Sequence, residues 1–83
     1  MKVEEVVKNL IEKLLNEKGY ILDKVEYDKS TNITFLRIII DKENGIDIDD
    51  CVEVSKLVSP ILDEKNPIEE NYVLDVCSKE KGR

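Results

Sequence analysis

Apolar and polar positions along the chain fall into five blocks. Val3, Val6, Val7, Leu10, Ile11, Leu14 and Leu15 recur at helical spacing, with Glu4, Glu5, Lys8, Glu12 and Lys13 on the opposite side. This predicts an amphipathic first helix, closed by Gly19 at the position where a left-handed cap ends a helix. From Tyr20 to Tyr27 the spacing shortens to two, with Ile21, Val25 and Tyr27 on one side and Leu22, Lys24 and Glu26 on the other. Asp28 to Asn32 reads as a turn, and Ile33 to Asp41 as the second strand of a hairpin, rich in β-branched residues and nearly apolar on both faces.

A second turn spans Lys42 to Ile46, where Gly45 tolerates positive φ. Asp47 is then the expected N-cap of a second helix, with Asp50 three residues on as a carboxylate form of the capping box. Ile48, Cys51, Val52, Val58 and Leu62 form the expected buried stripe of that helix, widened by Val54, Leu57 and Ile61, while Asp49, Glu53 and Lys56 stay wet. Pro60 removes a backbone hydrogen bond and crowds the preceding turn, so a kink or an early end near Ser59 is expected. Asn66 and Pro67 close the segment, and Tyr72 to Ser78 is a third strand with Leu74 and Val76 on one face.

The order helix, strand, strand, helix, strand gives an α/β (α+β) fold: a two-layer domain with both helices on one face of a three-stranded mixed sheet. If Leu36, Ile38 and Ile40 face the helices, alternation turns Ile33, Phe35, Arg37 and Ile39 the other way. An apolar outer face of that kind marks an interface, unless a loop or tail covers it.

Composition narrows the function. Eighty-three residues make one domain with a thin core, 39% charged and 41% hydrophobic, a balance that folds. No apolar run approaches the roughly 18 residues that span a bilayer, and Met1 to Leu10 carries acidic residues where a signal peptide has a basic start and an apolar run, so a cytoplasmic protein without membrane contact is expected. The net charge of −6 is concentrated between Asp41 and Val76. An acidic half-domain is a poor ligand for phosphate backbones and a better one for a basic protein, although the same charge also serves solubility.

Catalytic chemistry has little to work with. There is no histidine, no nucleophile elbow and no phosphate-binding glycine loop, since Gly19, Gly45 and Gly82 stand singly. Ser55 lies within the helical stripe, where a hydroxyl bonds the carbonyl one turn back. Cys51 and Cys77 lack zinc or redox spacing and read as core filling rather than a disulfide. The acids from Asp41 to Asp50 miss the calcium-loop spacing, because Gly45 falls fifth from Asp41 and no glutamate occupies the twelfth position. No enzyme, cofactor or metal is therefore expected. An RNA-binding KH module would need a GXXG clamp, which is absent; Lys79, Lys81 and Arg83 are the only basic cluster near the end.

Gly19-Tyr20, Val25-Glu26-Tyr27, Leu36-Arg37, Ile40-Asp41, Gly45-Ile46, Asp49-Asp50-Cys51, Val54-Ser55, Leu62-Asp63, Pro67-Ile68, Tyr72, Leu74, Val76 and Ser78 together carry a family pattern over nearly the whole chain. In these residues the chain resembles the N-terminal domain of the bacterial ribosome maturation factor RimP family. The resemblance implies a cytoplasmic protein that binds the small (30S) ribosomal subunit during its assembly, without catalysis. It implies an N-terminal α/β domain over residues 1–78, followed in the family by a small β-barrel that a Ser-Ser-Pro-Gly segment joins. The run Cys77 to Arg83 has no Pro-Gly, so residues 79–83 are expected to be a basic tail with the barrel absent. On this reading a basic ribosomal protein is the partner and rRNA is secondary. Arg37, Asp41, Asp50, Phe35 and Ile39 are the candidate contacts. The competing reading is a stand-alone interaction module, a homodimer that buries Ile33, Phe35 and Ile39 against themselves.

Overall fold

A computed structural model of the chain describes residues 2–30, 32–68 and 70–79. The expected tail residues Lys81 and Arg83 lie outside these, as does Thr31 of the first turn. The elements run α1 (Val3–Glu17), β1 (Ile21–Asp28), β2 (Phe35–Asp41), α2 (Ile48–Lys65) and β3 (Val73–Ser78). They form an α+β domain in the expected order.

The start and stop of each helix follow from local chemistry. Glu4 and Glu5 sit in the first turn of α1, favourable for the helix dipole. At its other end the Gly19 N–H donates to the Asn16 carbonyl (3.1 Å) and the Tyr20 N–H to the Leu15 carbonyl (2.9 Å), with Gly19 at φ +93°. This is the Schellman arrangement, which needs a residue free of a Cβ penalty at the left-handed position. Tyr20 and Leu15, the pair that this cap brings together, are both buried. Asp47 caps α2 as expected: its side chain accepts the Asp50 N–H (2.9 Å), and the Asp50 side chain accepts the Asp47 N–H (3.1 Å). Asn66, at φ +49°, closes α2 in the left-handed region.

The sheet order is β1-β2-β3, with β1 antiparallel and β3 parallel to β2. The parallel step requires a crossover, and α2 supplies it. Val7, Ile11 and Leu15 of α1 and Val54, Val58 and Leu62 of α2 meet Leu36, Ile38 and Ile40 of β2, and all nine are essentially inaccessible to water. Tyr20, Leu22, Val25 and Ile68 complete the core.

Four expectations need correction. Strict alternation in β1 fails at a bulge: the register shifts between Leu22 and Lys24, so Leu22 and Val25 both face the helices while Ile21 is exposed. One extra residue reverses the phase of everything before it. Strand β2 begins at Phe35, which leaves Ile33 in the connection and 53% exposed. Helix α2 runs unbroken through Pro60. Its exposed ring lies between Val58 and Leu62, whose burial on either side holds the axis despite one missing hydrogen bond. Finally, the buried face of α2 is Val54, Val58 and Leu62, whereas Ile48 is 75% exposed and Val52 48% exposed.

Candidate functional site

The open face of the sheet is closed by charge rather than left apolar. Opposite each other across the strands stand Glu26, Arg37 and Asp75. Arg37 Nε donates to Asp75 Oδ2 (3.2 Å) and Nη1 to Glu26 Oε1 (3.3 Å), while Lys24 Nζ reaches Glu26 Oε2 (3.1 Å). Lys24 and Arg37 hold the Glu26 carboxyl below its ordinary range, and Asp75 together with Glu26 raises the Arg37 guanidinium further. The pairs are partly exposed, so each contributes little to stability. Lys79 Nζ meets Asp23 Oδ1 of the bulge at 3.5 Å, joining the two outer strands over β2. Ile39 lies between Lys24 and Cys77 in register and is only 7% exposed. Lysine stems cover apolar surface in this way. The expected apolar outer face is thereby reduced to a corner where Phe35, half-buried, adjoins exposed Ile33 and Val73.

Asp50 belongs to a different feature. The hydroxyl of Tyr20, at the end of α1, lies 2.7 Å from Glu53 Oε1 and 3.0 Å from Asp50 Oδ1 on α2. Lys42 Nζ, from the turn after β2, donates to the same Asp50 oxygen at 3.0 Å and stands 5.4 Å from the centre of the Tyr20 ring. The backbone N–H of Asp47 and the Lys42 ammonium lower the Asp50 carboxyl to about 2. Burial, then the two carboxylates, pushes the Tyr20 phenol well above its usual range. With its side chain 13% exposed, Asp50 ties α1, the β2–α2 turn and α2 together rather than facing solvent. Asp41 is half-buried and accepts the Lys42 N–H at 2.8 Å.

A third feature lies along α2. Residues three and four apart share a helix face, so three flanks separate cleanly. Asp50 and Glu53 face Tyr20, and Val54, Val58 and Leu62 face the sheet. Ile48, Cys51, Val52 and Ser55 lie on the remaining flank, above Val76 at the outer edge of β3. Among the described residues no three His, Cys, Asp or Glu side chains are grouped to hold a metal ion, and no helix is long and apolar enough to cross a membrane.

Of the five residues chosen from sequence, Arg37, Phe35 and Ile39 share the open sheet face, whereas Asp41 ends β2 opposite Ile21 and Asp50 lies in the first turn of α2. The sequence reading missed Tyr20 and Lys42 as partners of Asp50, with Glu53 sharing the Tyr20 hydroxyl, and Glu26 and Asp75 as partners of Arg37. Strand register would have been the signal for the latter pair. No periodicity signals the former.

A family model described as the RimP N-terminal domain matches residues 10–79, from the middle of α1 to the residue after β3. The chain belongs to the RimP N-terminal domain family. Membership supports a role in ribosome maturation for this RimP-type domain. The Arg37 clasp, the Tyr20–Asp50–Lys42 node and the exposed flank of α2 all fall inside the matched segment.

Proposed function

We propose that this RimP-type domain docks on the small ribosomal subunit while it is being assembled, in the bacterial cytoplasm, and catalyses no reaction. The family match over residues 10–79 is the observation that carries this reading. The surface chemistry supports contact with a basic protein more than with rRNA. On α2 the side chains of Asp49, Glu53, Asp63 and Glu64 are all exposed, and net charge over the chain is −6. Phosphate backbones bind proteins mainly through lysine and arginine. The outer-face homodimer loses support because Ile39, central to it, is buried. Phe35 and Arg37 retain enough exposure to meet a partner, while Asp50 acts through the placement of α2.

Co-sedimentation with free small subunits tests the proposal. At low salt the chain is expected in the subunit pellet, and replacing Asp49, Asp63 and Glu64 by lysine is expected to leave it in the supernatant. Absence of the unaltered chain from the pellet at low salt would overturn the reading.

A further inference from the structure

We propose that the free edge of β3, overhung by the Ile48–Ser55 flank of α2, receives an extended basic segment of a partner protein as a fourth strand. The backbone supplies the first argument. The Val73 N–H donates to the Thr34 carbonyl and the Lys79 N–H to the Ile40 carbonyl, each at 2.8 Å. Odd-numbered residues of β3 therefore turn their peptide groups toward β2, and alternation turns those of Leu74 and Val76 to the other side. Along that side no strand of the described residues runs. Proteins commonly blunt such an edge with lysine, proline or a bulge, and the segment Val73–Ser78 contains none of these. Its one charge, Asp75, faces the open side of the sheet in the grip of Arg37.

The helix supplies the second argument. A strand laid beside β3 at about 4.8 Å would run beneath the flank of α2 that the sheet leaves uncovered. Ile48 and Val52 are the largest exposed apolar side chains of that helix. Between Ile48 and β3 lies a hollow of about 190 Å³, walled by Ile46, Ile48 and Cys51 over Val76 and Cys77, and Val52 lines the adjoining hollow over Val76. The first hollow suits the helix-facing side chain of an added strand, which is how strand addition obtains specificity beyond its main-chain hydrogen bonds.

Charge selects the occupant. Asp47 lines the hollow, Asp49 is exposed directly after Ile48, and among the described residues that line the two hollows Lys56 is the one cation. A second copy of the chain would bring its own net charge of −6 against this rim, whereas a segment alternating apolar residues with lysine or arginine complements it. The proposal rests on small-subunit docking only for the source of that segment. Its geometry stands on β3 and α2.

The test is an NMR titration of the isotopically labelled 83-residue chain with an end-capped, alternating lysine–valine hexapeptide, equal in length to the 6-residue β3. Shift changes are expected to concentrate in residues 48–55 and 73–78, with amide exchange at Leu74 and Val76 slowed roughly tenfold or more. A glutamate–valine peptide is expected to do neither. The double substitution Ile48→Gln with Val52→Gln, which removes the apolar surface without changing the charge, should weaken binding by about tenfold or more while leaving thermal unfolding nearly unchanged, because both side chains are already exposed. Three outcomes would each overturn the proposal: no shifts at millimolar peptide, shifts spread over the acidic surface without slowed exchange, or slowed exchange that grows with protein concentration in the absence of peptide. The last would identify a second copy as the occupant. No ribosomal material enters the titration, so its failure and a failure of co-sedimentation are separate results.

Discussion

Replacing Tyr20 by phenylalanine isolates the node that fixes α2 against α1. The ring is buried and packs in the core, so the substitution keeps its apolar contacts and removes one hydroxyl. Two carboxylates stand within reach of that hydroxyl, at 2.7 Å and 3.0 Å, yet it has a single proton and can serve only one of them at a time. The loss is therefore one charge-assisted hydrogen bond and not two. Such bonds contribute about 1.5–3 kcal/mol when fully buried. Glu53 is exposed and regains water when the hydroxyl is removed, which places the expected loss from the tyrosine at the lower end, about 1–2 kcal/mol. In urea, with a slope of about 1 kcal/mol/M for a domain of this size, the unfolding midpoint should fall by roughly 1–2 M at unchanged slope. A midpoint within about 0.3 M of the original would refute the claim that this contact fixes the two helices. The alkaline limb gives a second readout. The phenol ionises later in the folded chain than its ordinary 10.0, so the folded state holds a proton that the unfolded state has lost. The stability this provides is full below pH 10 and declines as pH rises beyond it, and the decline should be shallower in Tyr20→Phe.

Acid unfolding should run in the opposite sense. Asp50 is held at about 2 against an ordinary 3.8, and Glu26 and Glu70 are also lowered, so their contribution is complete above about pH 4.5 and drains as pH falls toward 2; a flat urea midpoint from pH 5 to pH 2 would contradict it. Asp47→Ala removes the acceptor for the Asp50 N–H and is expected to cost about 1 kcal/mol in the same assay, with Asp47→Ser recovering most of it. Gly19→Ala introduces no clash, since nothing lies within 4 Å of an added Cβ, and is still expected to cost about 1 kcal/mol because φ is +93° there; a neutral result would show that the α1 cap relaxes.

Local chemistry settled much of this domain in advance. Gly19, the Asp47/Asp50 pair and Asn66 each mark a helix end through contacts within a few residues, so the end of α1 and the start of α2 could be read directly, whereas Pro60 wrongly suggested an early end for α2. The Leu36–Ile38–Ile40 face, the order of elements and the mixed sheet followed from periodicity and from the need to bury one side of each element. Family membership was likewise legible, because its residues are spread along the whole segment.

What required the assembled fold is whatever depends on a partner distant in sequence. Ile39 reads as an exposed apolar residue until Lys24 and Cys77 are placed beside it by strand register. Arg37 reads as free until Glu26 and Asp75 close on it from two other strands, 11 and 38 residues away. The bulge after Leu22 reverses a phase that alternation alone assigned wrongly. The rotation of α2 decided the rest: apolar residues surround more of that helix than a core can cover, and only docking on the sheet chose Val54, Val58 and Leu62 for the interior. Sequence therefore determined which elements form and most of their limits, since caps and periodicity act within a few residues. Tertiary packing decided which side of α2 was left over the β3 edge, because that choice belongs to the surface it packs against.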